Sequence, residues 1–441
     1  MEMSPQAQRA GHRRPARVCS GAKQSVRVRI VVAVALIVCV CLVLAAAAAA
    51  LLRVPCAQRA TLPAQSTEKP AFPVDAVMLW VDTNDEWRAA RDAAAKRVAS
   101  DPLLASNSNN FEASRLMPQA EGREKEYAPE ISYAVLSAAR NMPWLSRILV
   151  VVADGQDVSW LADVRSRVSP KRVKIIRHSE FIPHDLLPVF SACLIEAHLD
   201  LISDLSEHFV LFSDDMFVLK HVTPSAFFQA DGKPIVRAVH EWQESVFMAS
   251  ALCLGYACAS AAHAYARSVH NMVKDLAEHI VPRSRSTRVV PLLDFHHPRS
   301  CTKTMFQKAR EQLATRPDRP YAISLRAPLR PKRGCTATIA ARTLALINGD
   351  AVLPPLREQL RPQTHYDPGS LTSHKKTLRI LRRKVPDAHI PHLLCVNGVP
   401  RRRDATCLTN YLSALQSFFR GTNEFKGGAL RAGEERPRQE R

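Results

Sequence analysis

The chain has 441 residues, 46% of them hydrophobic, and a formal net charge of +20. That length and apolar content are enough to bury a large core as one big domain or two smaller ones, which excludes a disordered chain. Residues 1–29 hold seven Lys/Arg against Glu2 and so carry only +6, leaving +14 for the remainder; a basic body suits an anionic partner.

Residues 30–52, IVVAVALIVCVCLVLAAAAAALL, form an uncharged apolar run of 23 residues. At about 1.5 Å per residue this crosses a bilayer core of roughly 30 Å, whereas a signal-peptide core has about 7–15 residues, so a transmembrane helix is predicted. Arg13, Arg14, Arg17, Lys23, Arg27 and Arg29 precede the run, while Arg53 and Arg59 are the close basic residues after it. The positive-inside bias leaves 1–29 as a basic cytoplasmic tail and places everything after about residue 53 in a lumen or outside the cell. Residues 53–72, with Pro55, Pro63 and Pro70, read as a stem. Eleven cysteines allow some bridges in an oxidising lumen, with Cys253–Cys258 and Cys395–Cys407 close enough in sequence to pair.

Beyond the stem, VDAVMLWV (74–81) reads as a strand, followed by a polar turn at Asp82–Asp85 and a helix from Glu86 to about Ala99. ISYAVLSAARNM (131–142) is helical, and SRILVVVADGQ (146–156) and VKIIRHSE (173–180) are strands. VFSACLIEAHLDLI (189–202) makes the next helix, and HFVLF the fourth strand. Strands alternating with helices predict an α/β domain with a mostly parallel sheet buried on both faces.

Three of these strands end in acid-bearing turns: Asp82, Asp154, and Asp214 with Asp215. In open α/β sheets ligands bind beyond the carboxyl ends of the strands, so these acids are expected to share one rim. A lone Asp in a turn often does no more than cap a helix, but adjacent carboxylates at the end of a buried strand need a partner. The expected partner is Mg²⁺ or Mn²⁺ shared with the phosphates of a nucleotide-sugar. Neighbouring side chains on a regular strand face opposite ways, so Asp214 and Asp215 reach one cation only if the strand bends there.

VDAVMLWVDTNDEW resembles the first conserved region of the Stealth family of sugar-1-phosphate transferases. EISYAVLSAARNMPWLSRILVVVADGQ, VKIIRHSEFIP, LLPVFSACLIEAHL and LSEHFVLFSDDMFV are similar to its second region in the family's order. DFHHPRSCTKTMFQKAREQL (294–313) resembles the third region, and HLLCVNGVPRRRDATCLTNYLSALQSFF (392–419) the fourth. The resemblance implies a Stealth-like catalytic domain over 73–425, with a variable insert at 232–290 and a charged C-terminal tail at 426–441. The implied fold is Rossmann-like, of the nucleotide-sugar-transferase type, with helices on both faces of the sheet. The implied reaction moves a hexose 1-phosphate from a nucleotide-sugar to a glycan or phosphoglycan hydroxyl, with a nucleoside monophosphate leaving. A single-pass type II protein with a lumenal catalytic domain in the Golgi fits this reading, with no nucleic-acid partner.

The family motifs assign roles residue by residue. Asp214 and Asp215 match an Asn-Asp-Asp motif, with Ser213 in place of the Asn, and are the metal and diphosphate site. Trp80 and Asp82 match the first region's Trp-Val-Asn/Asp, where the ring is placed to stack on a base or sugar. Asp154, Gly155 and Gln156 match a ligand-approaching turn, and Glu196 and His198 match a Glu-Ser-His segment. Lys303 stands where the family has Arg, and Asn397 sits in the fourth region's Asn-Asp position. The family's Ser-x-His-x-x-Arg appears as Ser324-Leu325-Arg326, and Arg is no general base near neutral pH, so His296 is the leading base, with His297 and His198 as alternatives. Two further readings stay open: an inactive relative that binds nucleotide-sugar or anionic glycan, and a metal-dependent glycosyltransferase.

Overall fold

The structure is a computed structural model that describes residues 69–82, 84–100, 130–239, 272, 275–276, 293–294, 297–329, 334–354, 363–366, 371–387, 390–396 and 405–420. The expected tails, the 30–52 span, most of the stem and most of the insert lie outside these residues. Among the described residues, no helix is long and apolar enough to cross a membrane.

The strands are β1 (Val74–Leu79), β2 (Ile148–Val152), β3 (Val173–Arg177), β4 (His208–Ser213), β5 (Met216–Val218), β6 (Ala238–Val239), β7 (Leu293–Asp294), β8 (Arg299–Thr302), β9 (Gln363–Tyr366) and β10 (Leu393–Val396). The helices are α1 (Asp85–Ser100), α2 (Glu130–Asn141), α3 (Leu161–Arg167), α4 (Ala192–Ala197), α5 (Lys303–Leu313), α6 (Pro320–Ser324), α7 (Ala337–Asn348), α8 (Leu371–Leu381) and α9 (Ala405–Arg420). The main sheet runs β3-β2-β1-β4-β8, with the first four strands parallel and β8 antiparallel along β4.

Alternation along these strands feeds two cores. Val74, Ala76, Met78, Ile148, Val150, Val210 and Phe212 face one cluster, which α2 and α9 cover. Val77, Leu149, Val151, Phe209 and Leu211 face the other, which α4, α5 and α7 cover. Burial on both faces is why these strands read as continuous apolar runs.

One polar residue interrupts that pattern. Asp75 in β1 is fully buried and takes two bonds from Arg147, Nε to Oδ1 at 3.2 Å and Nη2 to Oδ2 at 2.7 Å. Ser206 N–H also donates to Asp75 Oδ2 at 2.9 Å, so the carboxylate pins the approaches to β2 and β4 onto β1.

Some boundaries differ from expectation. β1 stops at Leu79 and β2 at Val152, and the helix expected over 189–202 is reduced to α4 followed by a 3-10 turn at Leu199–Leu201. His198 leaves helical geometry (φ −114°, ψ 4°) and ends α4. Leu194, Ala197, Leu199 and Ile202 are buried on either side of that break, so their apolar spacing imitates one helix. Cys395 is a free buried cysteine, so the expected Cys395–Cys407 bridge is absent; Cys253 and Cys258 lie outside the described residues.

A second sheet, β5-β10-β9, was not anticipated. β4 leaves the main sheet at Ser213, turns through Asp214–Asp215 and re-enters as β5, antiparallel to β10. Asn141 Nδ2 donates to Val218 O at 2.6 Å, and Val218 N–H donates to Ser137 Oγ at 3.0 Å, which fastens α2 along β5.

Candidate active site at the carboxyl edge of the sheet

The strand order reverses direction around β1: β2 and β3 lie on one side and β4 on the other. This is the switch point beyond which open α/β sheets leave a crevice. Leu79 pairs with Ser213 in register, so Trp80, the residue after β1, is level with the Asp214–Asp215 turn, while Asp82 lies toward Gln156 and Asp157 beyond β2. The turn at 214–215 is the bend needed to bring both carboxylates to one place.

Three acids meet there. Glu130, at the first turn of α2, accepts a hydrogen bond from Tyr411 Oη on α9. Burial raises the Asp214 carboxyl, and burial followed by repulsion from Asp214 raises Asp215. Burial and then Asp214 likewise hold Glu130 well above the usual carboxylate range, against the lowering effect of Tyr411. The Asp215 backbone is fixed, since its carbonyl accepts from Val396 N–H at 3.0 Å. Its Oδ1 is buried with no hydrogen-bond partner, while the Cys395 thiol approaches the carboxyl and is itself pushed up by burial. Arg299 in β8, paired in register with Leu211, is the basic group that lowers Asp215. Its Nη1 lies 3.9 Å from Glu196 Oε1.

The other expected residues divide between rim and scaffold. Asp82 and Gln156 bond through the Asp82 backbone, with Asp82 N–H donating to Gln156 Oε1 and Gln156 Nε2 donating to Asp82 O at 3.1 Å. That brace joins the ends of β1 and β2. Burial and then Asp157 raise the Asp82 carboxyl. Trp80 packs edge-on against Trp160 at 5.5 Å. Asp154 Oδ1 accepts from Ser179 Oγ at 2.5 Å, and Gly155 adopts φ 78°, a left-handed turn in open space. The three acid-bearing turns therefore do share one edge.

Glu196 and His198 serve the scaffold. Glu196 Oε2 accepts from Thr338 Oγ1 at 2.6 Å, tying α4 to α7. The buried His198 ring has Nδ1 2.9 Å from Leu194 O, and burial lowers its pKa. Lys303 is at the wrong end of the sheet. Because β8 runs antiparallel, with His208 opposite Thr302, Lys303 adjoins the start of β4, about 20 Å from its carboxyl end, and its Nζ caps Ile202 O at 3.0 Å. Arg326 is exposed, and its guanidinium bonds Ala322 O at 3.3 Å and Pro317 O at 2.8 Å, so it serves its own turn. His296 and Asn397 lie outside the described residues, whereas His297 is buried at the start of β8.

Glu130, Arg299 and Tyr411 were not singled out by sequence, and Cys395 only as a possible disulfide partner of Cys407. Glu130 opens an amphipathic helix, where an acid reads as a first-turn charge. Arg299 opens the buried edge strand β8, whose sequence Arg-Ser-Cys-Thr has no apolar run to mark it as a strand. Cys395 and Tyr411 belong to the fourth region and reach the site through β10 and α9 respectively.

Residues 124–236 match Stealth protein CR2, conserved region 2. A capsular polysaccharide phosphotransferase, fcs1, of Haemophilus influenzae is 34% identical over 162 residues, covering 36% of this chain and 39% of the relative. A capsular polysaccharide phosphotransferase of Neisseria meningitidis serogroup B is 34% identical over 173 residues, 37% of this chain and 39% of the relative. The exopolysaccharide phosphotransferase cps2G of Lactiplantibacillus plantarum is 34% identical over 169 residues, 38% and 43%. The chain spans about two fifths of the length of these relatives. The matched region contains α2, β2, β3, β4 and the Asp214–Asp215 turn, and it is through this conserved region 2 that the chain is similar to Stealth proteins.

Proposed function

We propose that the chain is a phosphotransferase of polysaccharide or glycoconjugate synthesis, moving a hexose 1-phosphate from a nucleotide-sugar to a glycan hydroxyl. The observation that carries the reading is the Asp214–Asp215 turn at the β1/β4 switch point, inside the residues that match Stealth conserved region 2. In this reaction the acceptor oxygen bonds to the sugar-bearing phosphorus, the bond to the nucleoside monophosphate breaks, and the hydroxyl proton passes to a base. His296 is the assigned base.

The chemistry of the acids fits a divalent cation. Asp215 Oδ1 is buried without a partner, Asp214 is raised by burial, and Asp215 and Glu130 are raised by burial and then by repulsion from Asp214. Among the described residues no group of three or more His, Cys, Asp or Glu is arranged to hold a metal. Two carboxylates completed by substrate phosphates are the habit of Mg²⁺ rather than of an all-protein cage. Asp214 and Asp215 would hold the ion, which when bound would neutralise diphosphate charge. Tyr411 holds the Glu130 carboxyl beside the pair, and Arg299 adds positive charge at its back. The apolar 30–52 run and its basic flank support a membrane-anchored protein with a lumenal Golgi domain.

The test incubates the full chain in detergent with a panel of nucleotide-sugars and Mg²⁺ or Mn²⁺. Release of nucleoside monophosphate, abolished by chelator, is expected. Nucleoside diphosphate release reassigns the chain to sugar transfer, and turnover in chelator removes the cation from the reading.

A further inference from the structure

A pocket of about 190 Å³ opens beside the rim, beyond the ends of β2 and β3 and against the first turns of α1. Trp87 and Phe190 form its aromatic corner, edge to face at 5.3 Å and 72°. Both rings are held in place. Trp87 N–H donates to Asn84 Oδ1 at 2.8 Å, and Phe190 N–H donates to Pro328 O at 2.8 Å while its ring packs with Ala94, Val98 and Leu329. Asn84, Glu86, Asp154, Gln156 and the buried His178 supply the polar lining, and buried Val189 forms part of the wall.

We infer that this pocket is a built site for the uncharged, planar nucleobase of the donor, with the donor's phosphates directed along the rim to Asp214 and Asp215. The inference rests on the proposed function and specifies which part of the donor the pocket takes. Charge excludes phosphate: Glu86 and Asp154 line the pocket, and Asp85 and Glu86 occupy the first turn of α1. Shape favours a flat ring, since a fixed aromatic corner offers π-faces and edges at little entropic cost. Hydrogen-bonding capacity favours N–H donors on the ligand. Asp154 spends Oδ1 on Ser179 and its other oxygen has no partner among the described residues, leaving an acceptor for a base amino or imino group.

Position completes the match. The β2 end lies two strand spacings from the β4 end, about 10 Å. An extended nucleoside diphosphate bridges that separation, and the hexose on its far phosphate then lies beyond the carboxylates, away from this pocket.

The experiment uses the full chain in detergent, with saturation-transfer NMR and calorimetry on four free nucleosides, their 5′-diphosphates and a methyl hexoside. Nucleoside binding in chelator is expected, and Trp87→Ala and Val189→Trp should each weaken it about tenfold or more, the scale of one base–aromatic stack. Asp215→Asn should keep nucleoside binding and lose the Mn²⁺-dependent gain of the diphosphate. The Trp87 variant keeps the question open to refutation should the overpacked Val189 variant not fold. The inference is overturned if no nucleoside binds, if both variants bind as wild type does, or if the hexoside displaces the nucleosides. Nucleotide-sugar turnover by variants with unaltered nucleoside affinity would sink the pocket alone. Nucleoside binding lost in the variants, with no turnover of any nucleotide-sugar, would sink the phosphotransferase reading alone.

Discussion

Asp215→Asn separates a site acid from a structural one, because the two predict opposite signs for stability. The native carboxyl is raised from 3.8 to about 7 by burial and by Asp214. At about 1.4 kcal/mol per pH unit that rise sets a ceiling of about 4 kcal/mol on the cost of holding the group ionised. The residue is half-buried and shares its titration with Asp214, so solvent screening and the neighbour reduce the figure to about 1–2 kcal/mol. Because the folded value lies above the unfolded one, the native chain binds more protons between them. Its stability therefore falls as pH rises from about 4 to about 7. Urea unfolding in chelator should show Asp215→Asn more stable than wild type by about 1–2 kcal/mol near pH 8, with the difference gone near pH 4. Added Mn²⁺ at about a hundred times its dissociation constant should then stabilise wild type by about 2.7 kcal/mol and leave the variant nearly unmoved. A variant less stable than wild type near pH 8 in chelator, or one that responds fully to Mn²⁺, refutes the reasoning.

Arg147→Ala leaves the fully buried Asp75 carboxylate with only the Ser206 N–H, and breaking such a pair should cost about 3–5 kcal/mol in urea unfolding; a loss below about 1 kcal/mol would show the pair to be dispensable. Burial lowers His178 from 6.5 to about 4 despite Asp154. The ring is neutral near pH 7, and the stability associated with it is present above about 6.5 and lost as pH falls toward 4. Its imidazole proton shifts should stay flat between about pH 5 and pH 8 by NMR, and a midpoint near 6.5 would place the ring in water.

The main sheet was legible because its strands are buried on both faces and so stand out as apolar runs, each closed by a polar turn. Asp82, Asp154 and Asp214–Asp215 were legible for the same reason, since a parallel sheet sends every strand's carboxyl end to one edge. Lys303 was misplaced because position along an antiparallel edge strand is invisible without knowing its direction. Sequence spacing puts Lys303 four residues after Arg299, yet β8 carries it away from the rim while Arg299 stays deep behind Asp215. Arg326 failed differently. A helix end of one short turn offers bare carbonyls, and a nearby guanidinium satisfies them before it reaches any ligand. The second sheet escaped because β5, β9 and β10 have only three or four residues each, too short for a period to declare itself.

That second sheet explains how the acids are held close together with no ion pair to either Asp214 or Asp215 among the described residues. β4 and β5 are one strand folded at Asp214–Asp215, and each half is clamped by a different sheet, so the turn cannot relax to move its carboxyls apart. The clamps are long-range: Val396 N–H holds the Asp215 carbonyl, and Tyr411 holds Glu130 across 281 residues of sequence. On the other side Glu196, anchored by Thr338, keeps Arg299 near enough to moderate Asp215 without neutralising it. A scaffold of this kind holds Glu130 and Asp215 against repulsion from Asp214. The fold thus keeps three raised carboxyls at the edge where the strand order leaves a crevice.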